Sequence, residues 1–291
     1  MRRAIPLLPV LVAAVVLTTG CGSERAGSQN TGAGASPQAT FSDPGLDGVR
    51  VTGLTGPTPA GDTSGLSAAY EVANDSAETL TYTVLFDFTT AAGEVMTNLE
   101  QTVRDVGPAR TVRRTVEMPP LAPGVHDVTR VKVSRVTSVP AAEAPADPGD
   151  CPSSGVRITT DEGDAAMGLR VVGLWLENCG TADYRVEGYP QLTVLGEDRK
   201  PVDGVRILKG GGGLSGTGSD DPPRPVTLKP GERARAGLTW RNTTEAGLPA
   251  VNAPYVRVRA KSGAAPVLVT PHLDLGSTGK LGVGPWTAEG R

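Results

Sequence analysis

The chain has 291 residues, a formal net charge of −3, 38 glycines and 25 prolines. Glycine and proline at this level break long helices and multiply turns, which excludes a helical bundle or coiled coil. Residues 43–150 carry 8 basic and 15 acidic side chains and residues 151–291 carry 17 and 15, so neither half has the basic surplus of a nucleic-acid binder.

Taken from the start, Arg2 and Arg3 precede an apolar run from Ala4 to Leu17. The run is short of the roughly 20 residues a spanning helix needs, and basic residues ahead of a short apolar core form the pattern of a secretory signal. Leu17-Thr18-Thr19-Gly20-Cys21 follows, ahead of a polar Gly/Ser stretch. These residues resemble the lipobox of bacterial lipoproteins, with Thr18 where the motif prefers leucine. The resemblance implies that residues 1–20 are a lipoprotein signal peptide and that Cys21 is diacylated and becomes the mature N-terminus. The membrane would then be a partner through Cys21, at the outer face of the cell membrane, and two acyl chains give stable anchoring where one is marginal. The other reading is an ordinary secretory signal with Cys21 a stray thiol.

The chain holds 3 cysteines. Assigning Cys21 to lipid leaves Cys151 and Cys179, which are expected to pair in an oxidising exterior. Closing a loop of this size contributes about 3 kcal/mol in the chain-entropy model. The alternatives are two free buried thiols or, with only 2 histidines in the chain, a metal site.

Residues 22–47 are Gly, Ser, Ala, Gln, Thr and Pro with few large apolar side chains, so they cannot bury enough surface to fold. Residues 21–47 therefore read as a lipidated flexible tether, with a reach of roughly 25–30 Å. From 48 to 138 β-patterned segments follow. In Leu80 to Thr90, Leu80, Tyr82, Val84, Phe86 and Phe88 fall on one face, the period-2 signature of a half-buried strand. Ala68, Tyr70 and Val72 alternate likewise and stop at the turn signal Asn74-Asp75-Ser76; Ala91-Ala92-Gly93-Glu94 is another turn. Val112 to Met118 and Val125 to Val136 add two strands. This spacing predicts an antiparallel β-sandwich and loosely resembles the Ig-like modules of bacterial surface lipoproteins. Residues 139–150, VPAAEAPADPGD, read as a semi-rigid linker and domain boundary.

The second domain, 151–291, is expected to be another β-sandwich. Leu169 to Glu177 is apolar at alternating positions of both parities, which predicts a central strand covered on each side. Residues 233–241 and 255–261 alternate cleanly, with arginines opposite alanine, leucine and valine. AAMGLR at 165–170, Leu176-x-Asn178-Cys179-Gly180, Gly188-Tyr189-Pro190, Leu228-x-Pro230-Gly231-Glu232, LTWRN at 238–242 and DLGSTGKLGV at 274–283 stand in this order. Together they resemble an uncharacterised domain family of actinobacterial secreted lipoproteins. The resemblance implies an Ig-like β-sandwich and an extracytoplasmic address, and it brings no catalytic or binding residues. Many members place a cysteine a few residues before the Gly-Tyr-Pro, where this chain has Tyr184.

Reaction centres are hard to assemble from these residues. The Gly-rich stretch 210–225 lacks the lysine and following helix that complete a phosphate loop, and reads as a surface insertion. Ser215 lacks the glycine and the strand-to-helix context of a nucleophile elbow, and His126 and His272, the only available bases, lie one in each domain. His272-x-Asp274 could put two metal ligands on one strand face, short of the three or four a site needs. No cofactor is called for. If 233–241 and 255–261 are antiparallel neighbours, Arg233, Arg235, Arg241, Arg257, Arg259 and Lys261 share one face, a candidate anion-binding surface. The other reading is an ordinary solvated face with acids interleaved, since like charges opposite one another destabilise a sheet. The expectation is thus an all-β protein, two Ig-like antiparallel sandwiches in tandem after a signal peptide and tether. It would be a non-enzymatic envelope lipoprotein contacting an anionic wall polymer or an envelope protein, no nucleic acid being a partner. The alternative is an accessory cell-wall hydrolase working through carboxylates.

Overall fold

A computed structural model describes residues 44–56, 66–119, 128–211, 214 and 221–289. The signal segment 1–20, Cys21, the tether as far as residue 43, His126 and most of the Gly-rich stretch lie outside the described residues. The protein is all-β, with a single 3-10 turn among the described residues, at Ala141–Glu143. The first six strands are β1 (Val49–Thr55), β2 (Ser67–Asn74), β3 (Leu80–Thr90), β4 (Val95–Val106), β5 (Arg110–Glu117) and β6 (Val128–Pro140). After the turn come β7 (Val156–Thr160), β8 (Asp164–Ala166), β9 (Leu169–Asn178), β10 (Tyr184–Val186), β11 (Gln191–Leu195), β12 (Arg206–Lys209) and β13 (Val226–Leu228). The last seven are β14 (Arg233–Arg241), β15 (Asn252–Ala253), β16 (Tyr255–Arg259), β17 (Val267–Val269), β18 (Leu273–Asp274), β19 (Lys280–Val283) and β20 (Thr287–Ala288).

The first six strands form two three-stranded antiparallel sheets, β1-β2-β5 and β4-β3-β6, around one core. The alternation in β3 is realised: Tyr82, Val84, Phe86 and Phe88 are buried, and the Phe86 ring packs on Tyr70 from β2 with centroids 4.8 Å apart. Strand β4 has no counterpart in the sequence reading. Its side chains opposite Val84, Phe86 and Phe88 are Gln101, Leu99 and Thr97, so its inward face is half polar and shows no apolar period. Pairing with β3 over its whole length makes it a strand. Residues 44–47 are structured too, since the backbone groups of Leu46 and Val49 bond to each other, so the tether ends earlier than position 47.

The remaining strands enclose a second core. Its main sheet runs β12-β19-β14-β9-β7, with β8 on β9 and β20 on β14, and every pairing is antiparallel except β12 with β19. A second sheet, β11-β16-β17, and the pairs β10-β13 and β15-β18 complete it. Strand β9 is central, but only one of its faces lies in the core. Val172, Leu174 and Leu176 are buried, while Trp175 lies outward beneath the Arg233 and Arg235 guanidiniums, 5.1 and 5.5 Å from its ring centroid. The apolar pattern on the outer face is thus covered by arginine stems rather than by a second layer.

One device recurs in both halves. Asn74 closes β2 with its Nδ2 donating to the carbonyls of Glu78 and Val106, at 2.8 and 2.7 Å, while its Oδ1 accepts from the Ser76 amide. Asn178 closes β9 in the same way: Nδ2 donates to Ala182 and Leu228, at 2.9 and 2.8 Å, and Oδ1 accepts from the Gly180 amide. Both side chains are 1% exposed. The strand starting six residues on pairs in register, Leu80 with Val106 and Tyr184 with Leu228. The turn that follows carries Pro108 in one half and Pro230 in the other, then a positive φ, at Ala109 (52°) and Gly231 (85°). Proline ahead of a left-handed residue is type II turn chemistry. Acid between two arginines also recurs: Arg50-Glu71-Arg113 across β1-β2-β5 and Arg157-Glu177-Arg233 across β7-β9-β14.

Residues 139–150 join the two cores and are held by both. Strand β6 runs on to Pro140, and Val139 packs with Leu195, Tyr255 and Leu268 of the second half in a small apolar plug. Arg104 of β4 forks onto Asp147 with two 2.6 Å bonds and reaches the Pro145 carbonyl at 2.8 Å. Arg257 of β16 donates to Glu143 at 2.7 Å, and Arg199 lies 3.6 Å from Glu78. The connector is clasped from both sides, and the two cores belong to one compact body.

Asn178→Ala and Asn74→Ala should each destabilise their half by about 2–4 kcal/mol, because buried carbonyls lose their donors; urea unfolding followed by the tryptophans, all of them in the second half, separates the two variants. Hydrogen bonds from Arg104 hold the Asp147 carboxyl below the ordinary aspartate range. The clasp is therefore at full strength above about pH 4 and is lost as the pH falls through the lowered value of the folded state. Arg104→Ala should cost about 1 kcal/mol, a figure reduced by partial exposure, and should speed proteolysis within 141–150 at pH 7 relative to the wild type.

Candidate functional site

At one end of the second core, three segments meet on Asp274. The β8–β9 hairpin brings Arg170, the end of β14 brings Trp240 and Asn242, and β18 brings Asp274 itself. Trp240 Nε1 donates to Asp274 Oδ1 at 2.7 Å and Asn242 Nδ2 to Oδ2 at 3.0 Å, with an Arg170 Nη2 at 3.8 Å from Oδ2. The backbone locks the same segments, Asn242 N to the Gly168 carbonyl at 3.0 Å and Ser277 N to the Thr243 carbonyl at 3.0 Å. Gly276, at φ 56°, is required there: a Cβ would strike the backbone of Asn242 and Thr243.

This node floors a cleft of about 340 Å³, rimmed by Glu162, Asp164 and His272 and walled by Val171, Val172 and Pro271. His272 reaches the surface at a left-handed φ of 50°, and Met167, at the tip of the hairpin, has φ 49° and is 99% exposed. Desolvation by the surrounding chain, with Arg135 adding to it, holds the His272 imidazole below the ordinary histidine pKa, so it is neutral at pH 7. Asp274 is a fixed acceptor that takes one hydrogen bond from an indole and one from an amide, with the Arg170 guanidinium as a more distant ion-pair partner. Among the described residues no group of three or more His, Cys, Asp or Glu side chains is placed to hold a metal ion, and His272 with Asp274 does not form one.

The other residues singled out in the sequence separate. Cys151 and Cys179 are bonded, with Cα atoms 5.5 Å apart, and tie the end of the connector to the Asn178 turn. The six cations do not form one face, because β14 and β16 are not neighbours: β14 pairs with β9 and β19, and β16 with β11 and β17. Arg233 bonds Glu289 at 2.8 and 2.9 Å and Arg235 bonds Asp161 at 3.2 Å. Arg257 is in the clasp, and Arg259 bonds the Ala264 carbonyl. Lys261 bonds the Arg185 carbonyl at 2.8 Å and sits 4.2 Å from the Tyr184 ring centroid. Arg241, half-buried at the end of β14, belongs to the Asp274 end of the molecule. Of the Gly-rich stretch, Gly210 donates to the Val283 carbonyl, and a Cβ at Gly282 would come within 2.9 Å of the Gly210 carbonyl oxygen. There, glycine allows two chain segments to touch.

The Asp274 node was not read from the sequence. Its members lie in three of the motifs that carried the family resemblance, AAMGLR, LTWRN and DLGSTGKLGV, but nothing along the chain says that these touch. Residues 151–287 match a domain family described as a domain of unknown function (DUF4232). No curated protein matches the chain.

Asp274→Ala should destabilise the second core by about 2–3 kcal/mol, since the buried indole N–H of Trp240 is left without an acceptor. Asp274→Asn, which keeps a carbonyl for that N–H, should cost about 1 kcal/mol. Denaturant midpoints for the two variants check the difference.

Proposed function

We propose that this protein is a membrane-anchored extracytoplasmic lipoprotein that carries two Ig-like β-sandwiches in tandem and binds, without catalysis, a wall polymer or protein of the cell envelope. The observation that carries this reading is the Cys151–Cys179 bond. It takes up every cysteine except Cys21, the one that stands directly after the apolar N-terminal run. A structural disulfide suits an oxidising compartment. The repeated asparagine device and the two separate cores support the tandem sandwiches, and the clasped connector suits a stiff body carried on a lipid-bound tether.

The alternative, an accessory wall hydrolase, draws on the cleft, where Glu162 and Asp164 line the same space as Asp274. Glycoside hydrolysis needs one carboxyl poised as an acid and a second as base or nucleophile. Asp274 is already committed to Trp240 and Asn242, and the carboxyls shifted from their ordinary range, Glu71, Asp147 and Asp198, are shifted downward, away from a general acid's requirement.

Mass spectrometry of the mature chain purified from membranes checks the anchoring directly. A diacylglyceryl thioether on an N-terminal Cys21 is expected, and Cys21→Ser should move the protein from the membrane to the soluble fraction. A mature chain that starts elsewhere, or an unmodified Cys21 on a membrane-bound protein, would remove the basis of this reading.

A further inference from the structure

A second cavity lies where the two halves meet, about 220 Å³ in volume. Its walls come from the β4-β3-β6 sheet, from the connector and from β17 with the residue after it. On the sheet side, Thr83 stands opposite Thr102 of β4 and Thr137 of β6, so three threonines form a row across three strands, spaced about 4.8 Å apart by the sheet itself. The Thr137 hydroxyl donates to the Thr83 carbonyl at 3.5 Å and offers a ligand its lone pairs, while among the described residues no such bond takes up the Thr83 and Thr102 hydroxyls. Thr81 extends the row along β3, and Thr270 faces it from the second half. Leu268, Val139 and Pro145 add apolar surface to a lining that also holds the paired Arg104 and Asp147. The Arg104 charge that reaches this space is already taken by Asp147. Glu100 on the rim makes no ion pair among the described residues.

We infer that this cavity binds a neutral, polyhydroxylated ligand, one saccharide ring in size. Threonine hydroxyls both donate and accept, which suits a partner whose own groups do both. A ligand with hydroxyls along its edge and C–H groups on its face fits a site that offers a hydroxyl row together with leucine, valine and proline surface. An anion finds no free cation here. Glu100 is an acceptor with two oxygens, able to bridge two adjacent ligand hydroxyls. Small-molecule sites favour boundaries between domains, and this one takes walls from both halves, so an occupant would brace the junction that the Arg104–Asp147 and Arg257–Glu143 pairs already hold. The inference is independent of lipidation at Cys21.

The test uses the full mature chain in a detergent without a sugar headgroup. Glucose and N-acetylglucosamine are titrated separately, read by saturation-transfer NMR and by the melting temperature. Millimolar binding of at least one of them is expected, together with a rise in melting temperature. Thr83→Val combined with Thr102→Val should weaken that binding at least tenfold while leaving the ligand-free melting curve near wild type, because valine keeps the β-branched shape. Thr159→Val, on β7 and away from the cavity, should bind as wild type. Three results would each overturn the inference: no response to either sugar, equal binding by the double valine variant, or stronger binding of ethylammonium or inorganic phosphate than of both sugars.

Discussion

The structure depends on a buried amide used twice. An asparagine ending a central strand must satisfy two N–H donors and a carbonyl away from water, and each half does so by drawing three separate segments of chain to one point. Asn74 ties the end of β2 to its own turn and to the end of β4; Asn178 ties the end of β9 to its turn and to the end of β13. Apolar burial supplies most of the driving force but is indifferent to strand register. The amide is not, because a slip of one residue would leave a buried carbonyl without a donor. The disulfide lies beside this point in the second half, with Cys179 directly after Asn178, so covalent and hydrogen-bonded constraints act on the same turn.

Charge is handled alike on two of the outer sheet faces, β1-β2-β5 and β7-β9-β14. Where arginines stand on neighbouring strands, an acid stands between them, as Glu71 does between Arg50 and Arg113. The second half adds an aromatic, with Trp175 under two guanidiniums and Asp161 and Glu289 beyond them. Such faces are close to neutral and keep their partners at home. The two cavities differ in character for the same reason. The cleft at Asp274 is built around satisfied polar groups and reads as a rigid end, whereas the junction cavity presents hydroxyls and an unpaired carboxylate to whatever enters.

The all-β class was legible because alternation with period 2 is a local property, written into β3 as Leu80-x-Tyr82-x-Val84-x-Phe86-x-Phe88 and into β14 as Ala234-x-Ala236-x-Leu238-x-Trp240. The cysteine pairing was legible by counting, once Cys21 was set apart. Strand β4 was not, since its inward face of Thr97, Leu99, Gln101 and Val103 is carried by its neighbour β3. Composition marked 139–150 as a semi-rigid connector, but it reports what a segment can do alone and not that Arg104, about forty residues earlier, grips it. The arginine face failed because similar alternation in two strands does not make them neighbours.

Composition, turn residues and local periodicity therefore determined the kind of structure, the bond between Cys151 and Cys179 and most strand positions, because each of these is decided within a few residues or by exclusion. Strand order, the asparagine pins, the Asp274 node and the hydroxyl-lined junction belong to the tertiary structure alone. They arise where segments more than 30 residues apart in the chain must satisfy one another's polar groups, as Trp240 and Asn242 do with Asp274, and nothing local records which partner will arrive.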